Sequence, residues 1–155
     1  MRLLHYTTAP FRFNPRLRYR GDLARGYKPV GLWVSVEGDD DWKQYCESES
    51  YQFCSRNHVS EIRLRPENNV LIVDTLSALD AFDRRWNVDR DSYRGIPWET
   101  IMDAYDGIII APYQWERRLE FLWYYTWDCA SGCIWNLDAI EQVQHEPEMS
   151  ANGTG

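Results

Sequence analysis

The sequence predicts an α+β fold: a small mixed or antiparallel, split β-sheet core carrying two or three helices. Three observations point to it. Six or seven short runs are alternating or β-branched, the pattern of strands with one or both faces buried. Helical spacing is confined to two or three stretches. Strands and helices do not alternate regularly, and neither Gly-x-Gly-x-x-Gly nor Gly-x-x-x-x-Gly-Lys-Ser/Thr occurs. Doubly wound dinucleotide-binding and P-loop architectures are therefore excluded.

Leu3-Leu4-His5-Tyr6-Thr7 reads as a first strand and Gly31-Leu32-Trp33-Val34-Ser35-Val36 as a second. Asp39 to Asp41 sit where a helix dipole favours acids, so a helix is expected from Asp40 to Tyr51. Ser60-Glu61-Ile62-Arg63-Leu64-Arg65 alternates like a half-exposed strand. Pro66-Glu67-Asn68-Asn69 turns the chain into the β-branched run Val70-Leu71-Ile72-Val73-Asp74. Helical spacing follows in Leu76 to Phe82 and in Trp98 to Tyr105, and Gly107-Ile108-Ile109-Ile110 reads as a buried strand. Leu119 to Trp127 and Cys133-Ile134-Trp135 read as two further strands joined by residues 128–132. The alternation places half of Trp123, Tyr124, Tyr125 and Trp127 in the core and half toward a cleft. Residues 1–143 make a single domain, and the polar stretch 144–155 is expected to be a flexible tail.

The 155 residues carry 24 acids against 17 bases, a formal charge of −7. Such a balance excludes a binder that holds nucleic acid by charge alone, which needs a broad basic surface. No apolar run approaches the ~20 residues of a membrane helix. Met1 to His5 is too short and polar for a signal peptide, so no membrane association and a cytoplasmic location are expected. The four cysteines at 46, 54, 129 and 133 lack Cys-x-x-Cys spacing and read as buried free thiols, and no metal site is expected. The 23 Trp, Tyr and Phe residues serve mainly as core, because rings bury large areas in a small domain. Residues 11–28 are the one basic stretch, six bases against one acid, interleaved with Phe11, Phe13, Tyr19 and Tyr27. Such a loop suits a phosphate-bearing ligand or a macromolecular partner.

His5 stands in the first strand, Trp33 in the second, and Tyr45-Cys46 on the helix that follows. The series Leu-Leu-His-Tyr-Thr, Gly-Leu-Trp-Val-Ser and Tyr-Cys resembles the NAD-binding half of ADP-ribosyltransferases of the diphtheria-toxin and poly-ADP-ribose-polymerase type. That family reads Leu-x-His-Gly-Ser/Thr, then Gly-Ile/Leu-Tyr-Phe-Ala/Ser, then a helix ending in Tyr-Cys, and the RNA 2′-phosphotransferases use the same cleft. The resemblance covers roughly residues 2–140 and implies an ADP-ribosyltransferase-like fold with NAD as cofactor. It implies that His5 holds the ribose of the nicotinamide side and that the Tyr6 backbone grips the carboxamide. Trp33 stands at the family's first pocket tyrosine and Tyr45 at its nicotinamide-stacking tyrosine. Thr7, Gly31 and Ser35 fall within the same motifs. The basic loop, with Arg20, falls where such folds bind the diphosphate and adenosine.

Three positions depart from the family: Tyr6 replaces a glycine, Trp33 replaces a tyrosine, and no glutamate leads the strand around Cys133. Breaking the nicotinamide bond of NAD builds positive charge on the ribose, which a carboxylate must stabilise. Asp128 is the leading candidate, with Glu116 second and Ser131 as a hydrogen-bond donor. The expected activity is transfer of ADP-ribose to a protein or nucleic acid, by a chain compatible with a phage or bacterial toxin set. The alternatives are an inactive NAD- or ADP-ribose-binding or inhibitory module of the same fold, and a metal-dependent nuclease using Glu99, Asp103, Asp106 and Asp128. A Cys129–His5 nucleophile pair is a weaker alternative, without a local motif.

Overall fold

The computed structural model describes residues 1–21, 26–49 and 57–147. Residues 22–25 of the basic loop, the end of the helix expected to reach Tyr51, Cys54 and residues 148–155 lie outside them. The described chain is α+β, with strands β1 (Leu3–Thr7), β2 (Leu32–Val36), β3 (His58–Leu64), β4 (Val70–Val73), β5 (Gly107–Ile110), β6 (Ser131–Ile134) and β7 (Ile140–His145). Its helices are α1 (Trp42–Ser48), α2 (Leu76–Trp86), α3 (Trp98–Ala104) and the single turn α4 (Leu122–Tyr125).

The strands form one sheet in the order β4-β5-β6-β2-β1-β3-β7. Only β4 and β5 run parallel, joined by a crossover through α2 and α3. The expected split into separate halves is corrected to a continuous sheet, because β2 pairs with β6 on one side and β1 on the other. Gly132 makes the central pairing possible. A Cβ there would lie 2.6 Å from the carbonyl oxygen of Ile108 and 2.6 Å from Cγ1 of Ile109. Gly132→Ala is therefore expected to destabilise the domain by about 2 kcal/mol, the scale of overpacking. A denaturant midpoint unchanged from wild type would refute this.

The core lies where α2, α3 and the 121–127 segment pack on the β4-β5-β6 half. Leu79 and Phe82 of α2, Trp98 and Ile101 of α3 and Ile108 to Ile110 are buried. Thr75 caps α2 by accepting from the Ala78 N–H at 3.0 Å, and Asp41 caps α1 through Gln44.

Two elements differ from expectation. The Leu119–Trp127 strand is a helical turn instead, since Tyr124 and Tyr125 both donate to the Phe121 carbonyl. Trp123, Tyr124 and Trp127 are all wholly buried, which differs from the expected division of these rings between core and cleft. The tail is shorter than expected, because β7 pairs with β3 as far as Ser60↔His145. Glu141, Gln142, Gln144 and His145 are exposed on this edge strand, so its sequence lacks the apolar alternation that signals a strand. Among the described residues no helix is long and apolar enough to cross a membrane. Cys46 is disulfide-bonded, which corrects its reading as a free thiol, while Cys129 and Cys133 are free and buried.

Candidate functional site

The β1–β2 ladder stops early. Leu3 pairs with Val36 and Leu4 with Ser35, whereas β1 stays paired with β3 through Thr7 and β2 with β6 back to Leu32. Beyond Leu4 the two strands part, and a cleft of about 370 Å³ borders the opening. Leu4, His5 and Tyr6 line it from β1, and Trp33, Val34 and Ser35 from β2. Ser131 of β6 and the preceding Asp128 and Cys129 complete one wall, with Lys28 and Trp42 on the others. The volume falls within the ~300–1,000 Å³ typical of small-molecule sites.

His5 bridges the gap where the ladder ends: its Nδ1–H donates to the Trp33 carbonyl at 2.6 Å. A carbonyl can only accept, so the bond fixes the hydrogen on Nδ1 and leaves Nε2 as the ring's acceptor. Burial lowers the imidazole pKa, opposed in part by this bond, so the ring is neutral at neutral pH. Phe11 packs edge-on against it at 4.5 Å, fixing the ring plane.

Trp33 is held edge-on by the buried Trp127 at 5.1 Å, and the Lys28 ammonium lies 5.3 Å from its ring centre. Burial pulls the Lys28 pKa down, and Asp128 partly restores it. Asp128 is also ion-paired with Arg118 at 3.7 Å, so the cleft holds one carboxylate between two cations. Ser35 is buried and accepts from the Trp42 N–H at 2.9 Å, docking the first turn of α1 on β2. That bond brings the Trp42 ring to the cleft. Ser131 donates to the Cys129 carbonyl at 3.0 Å and so shapes the turn behind Asp128. Burial pushes the Cys129 thiol up to about 11, which keeps it protonated and unsuited to nucleophilic attack at neutral pH.

Of the residues singled out from sequence, His5, Tyr6, Trp33, Ser35, Asp128 and Ser131 thus meet at one cleft, and Thr7, Arg20, Gly31 and Tyr45 do not line it. Tyr45 stacks behind Trp42 at 5.6 Å, one helical turn away, so Trp42 takes the wall position expected of Tyr45. Thr7 turns its hydroxyl to the Ala9 carbonyl. Gly31 serves packing instead, since a Cβ there would meet the Ile134 carbonyl oxygen at 2.6 Å. The basic loop presses Phe11, Phe13 and Tyr19 onto the core, and Arg18 pairs with Asp138 at 3.6 Å. Among the described residues of that loop, Lys28 alone lines the cleft.

Trp42 is a lining residue that the sequence did not single out, while Cys129 was weighed only as a nucleophile partner of His5 and Lys28 only as part of the basic loop. Lys28 was visible only as the end of a basic stretch, and Trp42 only as the first residue of a helix. The nuclease set is not gathered: Asp106 is spent on the Asn69 N–H and the Asn136 side-chain amide. Among the described residues no group of three or more His, Cys, Asp and Glu side chains is placed to hold a metal ion. No protein-family model matches the chain, and no curated protein or solved structure is significantly similar to it.

Proposed function

We propose that the β1–β2 cleft binds the nicotinamide–ribose part of NAD and that the chain transfers ADP-ribose to a macromolecular acceptor. The observation that carries this reading is the meeting of His5, Trp33, Asp128 and Ser131, from well-separated segments, at the one place where the β1–β2 ladder opens. In this role the His5 Nε2 accepts a hydrogen bond from a ribose hydroxyl. Trp33 and Trp42 supply apolar walls for the flat nicotinamide ring, holding it in line to leave. Asp128 faces the ribose carbon that becomes positive as the glycosidic bond lengthens. Lys28 favours the diphosphate by charge.

A second reading, binding of NAD or ADP-ribose without turnover, draws on the Arg118–Asp128 ion pair, which offsets the carboxylate. The test is nicotinamide release together with calorimetric titration of NAD, for wild type and His5→Ala. Transferase chemistry gives release in wild type and about tenfold weaker NAD binding in His5→Ala, the worth of a good hydrogen bond to a polar ligand. Binding without release in any condition supports the inactive module. Absence of NAD binding overturns both.

A further inference from the structure

A second cavity, of about 390 Å³, is lined by Tyr27, Tyr93, Tyr125, Thr126 and Asp128. Asp128 therefore borders both cavities. We infer that the tyrosine cavity is the acceptor subsite and that its occupant is an unpaired nucleobase of a single-stranded nucleic acid. The role as acceptor subsite rests on the NAD reading of the first cleft, whereas the stacking itself does not.

Three observations favour this occupant. The three tyrosines are 43–46% exposed, and with Trp115 they are the exposed large rings among the described residues, the others being buried or half-buried. Their rings are tilted walls rather than a closed stack: Tyr27 and Tyr93 lie 5.8 Å apart at 60°, Tyr93 and Tyr125 6.4 Å apart at 54°. A flat base can lie on one ring and meet the edge of the next, and such stacking is indifferent to sequence. Arg94 lies over Tyr27 at 5.5 Å and Arg118 over Tyr125 at 5.4 Å. These guanidiniums already occupy cation positions on the rings, and although Asp128 offsets Arg118, Arg94 at the Tyr27 side is a cation for a strand's phosphate.

The shared carboxylate argues for an acceptor rather than the adenine of NAD. Asp128 stands by the reacting ribose carbon, and the adenine is separated from that carbon by the diphosphate and a second ribose. A base beside Asp128 is instead placed to react. Its ring or exocyclic nitrogen forms a bond to the ribose carbon as the bond from that carbon to the nicotinamide nitrogen breaks. Nicotinamide leaves neutral with the electron pair of the broken bond, and the proton lost by the base nitrogen passes to Asp128 and then to water.

Fluorescence anisotropy with a short labelled oligonucleotide of mixed sequence, single-stranded and as duplex, tests the assignment. The single strand is expected to bind better than the duplex. Tyr93→Ala should weaken single-strand binding about tenfold, the worth of one stacked base, while Tyr93→Phe keeps the ring and the affinity. His5→Ala should leave strand binding intact, so failure of the NAD reading registers separately, as loss of NAD binding alone. Circular dichroism of Tyr93→Ala guards against misfolding. Equal binding by Tyr93→Ala, absence of strand binding, or displacement of the strand by ADP-ribose would each overturn the proposal.

Discussion

Asp128→Asn is expected to slow nicotinamide release from NAD by about 100- to 1,000-fold while NAD binding changes little. The substitution keeps the size and planarity of the side chain and removes only the charge. Charge is what the ribose demands as nicotinamide departs, because positive character grows on its carbon as the bond stretches. The carboxylate is half-exposed and paired with Arg118 at 3.7 Å, so its loss costs the fold little, as for other solvent-screened ion pairs. A thermal melt within a few degrees of wild type is the control. Single-turnover release and calorimetric NAD titration separate chemistry from binding. Release within threefold of wild type would remove Asp128 from the chemistry and leave the described lining of the cleft without a carboxylate for it.

The second large effect falls on stability. Asp83, buried at the end of α2, accepts from the Trp123 Nε1–H at 2.9 Å and the Asn87 amide at 2.8 Å, and pairs with Arg90 at 2.6 Å. It thereby joins α2, the buried Trp123 and the loop that carries Tyr93. Asp83→Ala leaves an indole N–H buried without an acceptor and removes the carboxylate partner of Arg90, at a cost of about 3 kcal/mol. Asp83→Asn keeps an oxygen for Trp123 and is expected to recover part of that loss. Urea denaturation of the two variants beside wild type checks both, and equal midpoints for all three would contradict the account.

How much of this was readable beforehand differs by element. Gly107–Ile110 was legible because a β-branched run buried on both faces has no better home than a central strand, and Val70–Val73 because its β-branched run follows a clear turn, although it lies at the sheet edge with Ile72 exposed. β7 was not, because an edge strand with exposed glutamines and a histidine owes its place to pairing with β3 rather than to its own apolar pattern. The 121–127 segment was misread because aromatic residues favour strands when considered singly, while here three rings are buried from one turn. Within the site, His5, Trp33 and Asp128 were visible as unusual residues at strand positions or turns. Trp42 displaced Tyr45 for a reason no motif encodes: the Ser35 hydroxyl takes the N–H of Trp42 and sets the rotation of α1. Thr7, Gly31 and Arg20 belonged to the right segments but line neither cavity.

The early end of the β1–β2 ladder has a bearing on assembly. β1 and β2 lie far upstream of the wall that faces them, which comes from Asp128 and from β6 and is held in place by the pairing of β6 with β2. Closing so long a loop costs chain entropy, so the cleft depends on a contact between segments distant in sequence. A chain interrupted before β6 holds the histidine and the tryptophan but has no enclosed cleft. The cleft is thus a property of the assembled sheet and not of the β1–β2 pair by itself.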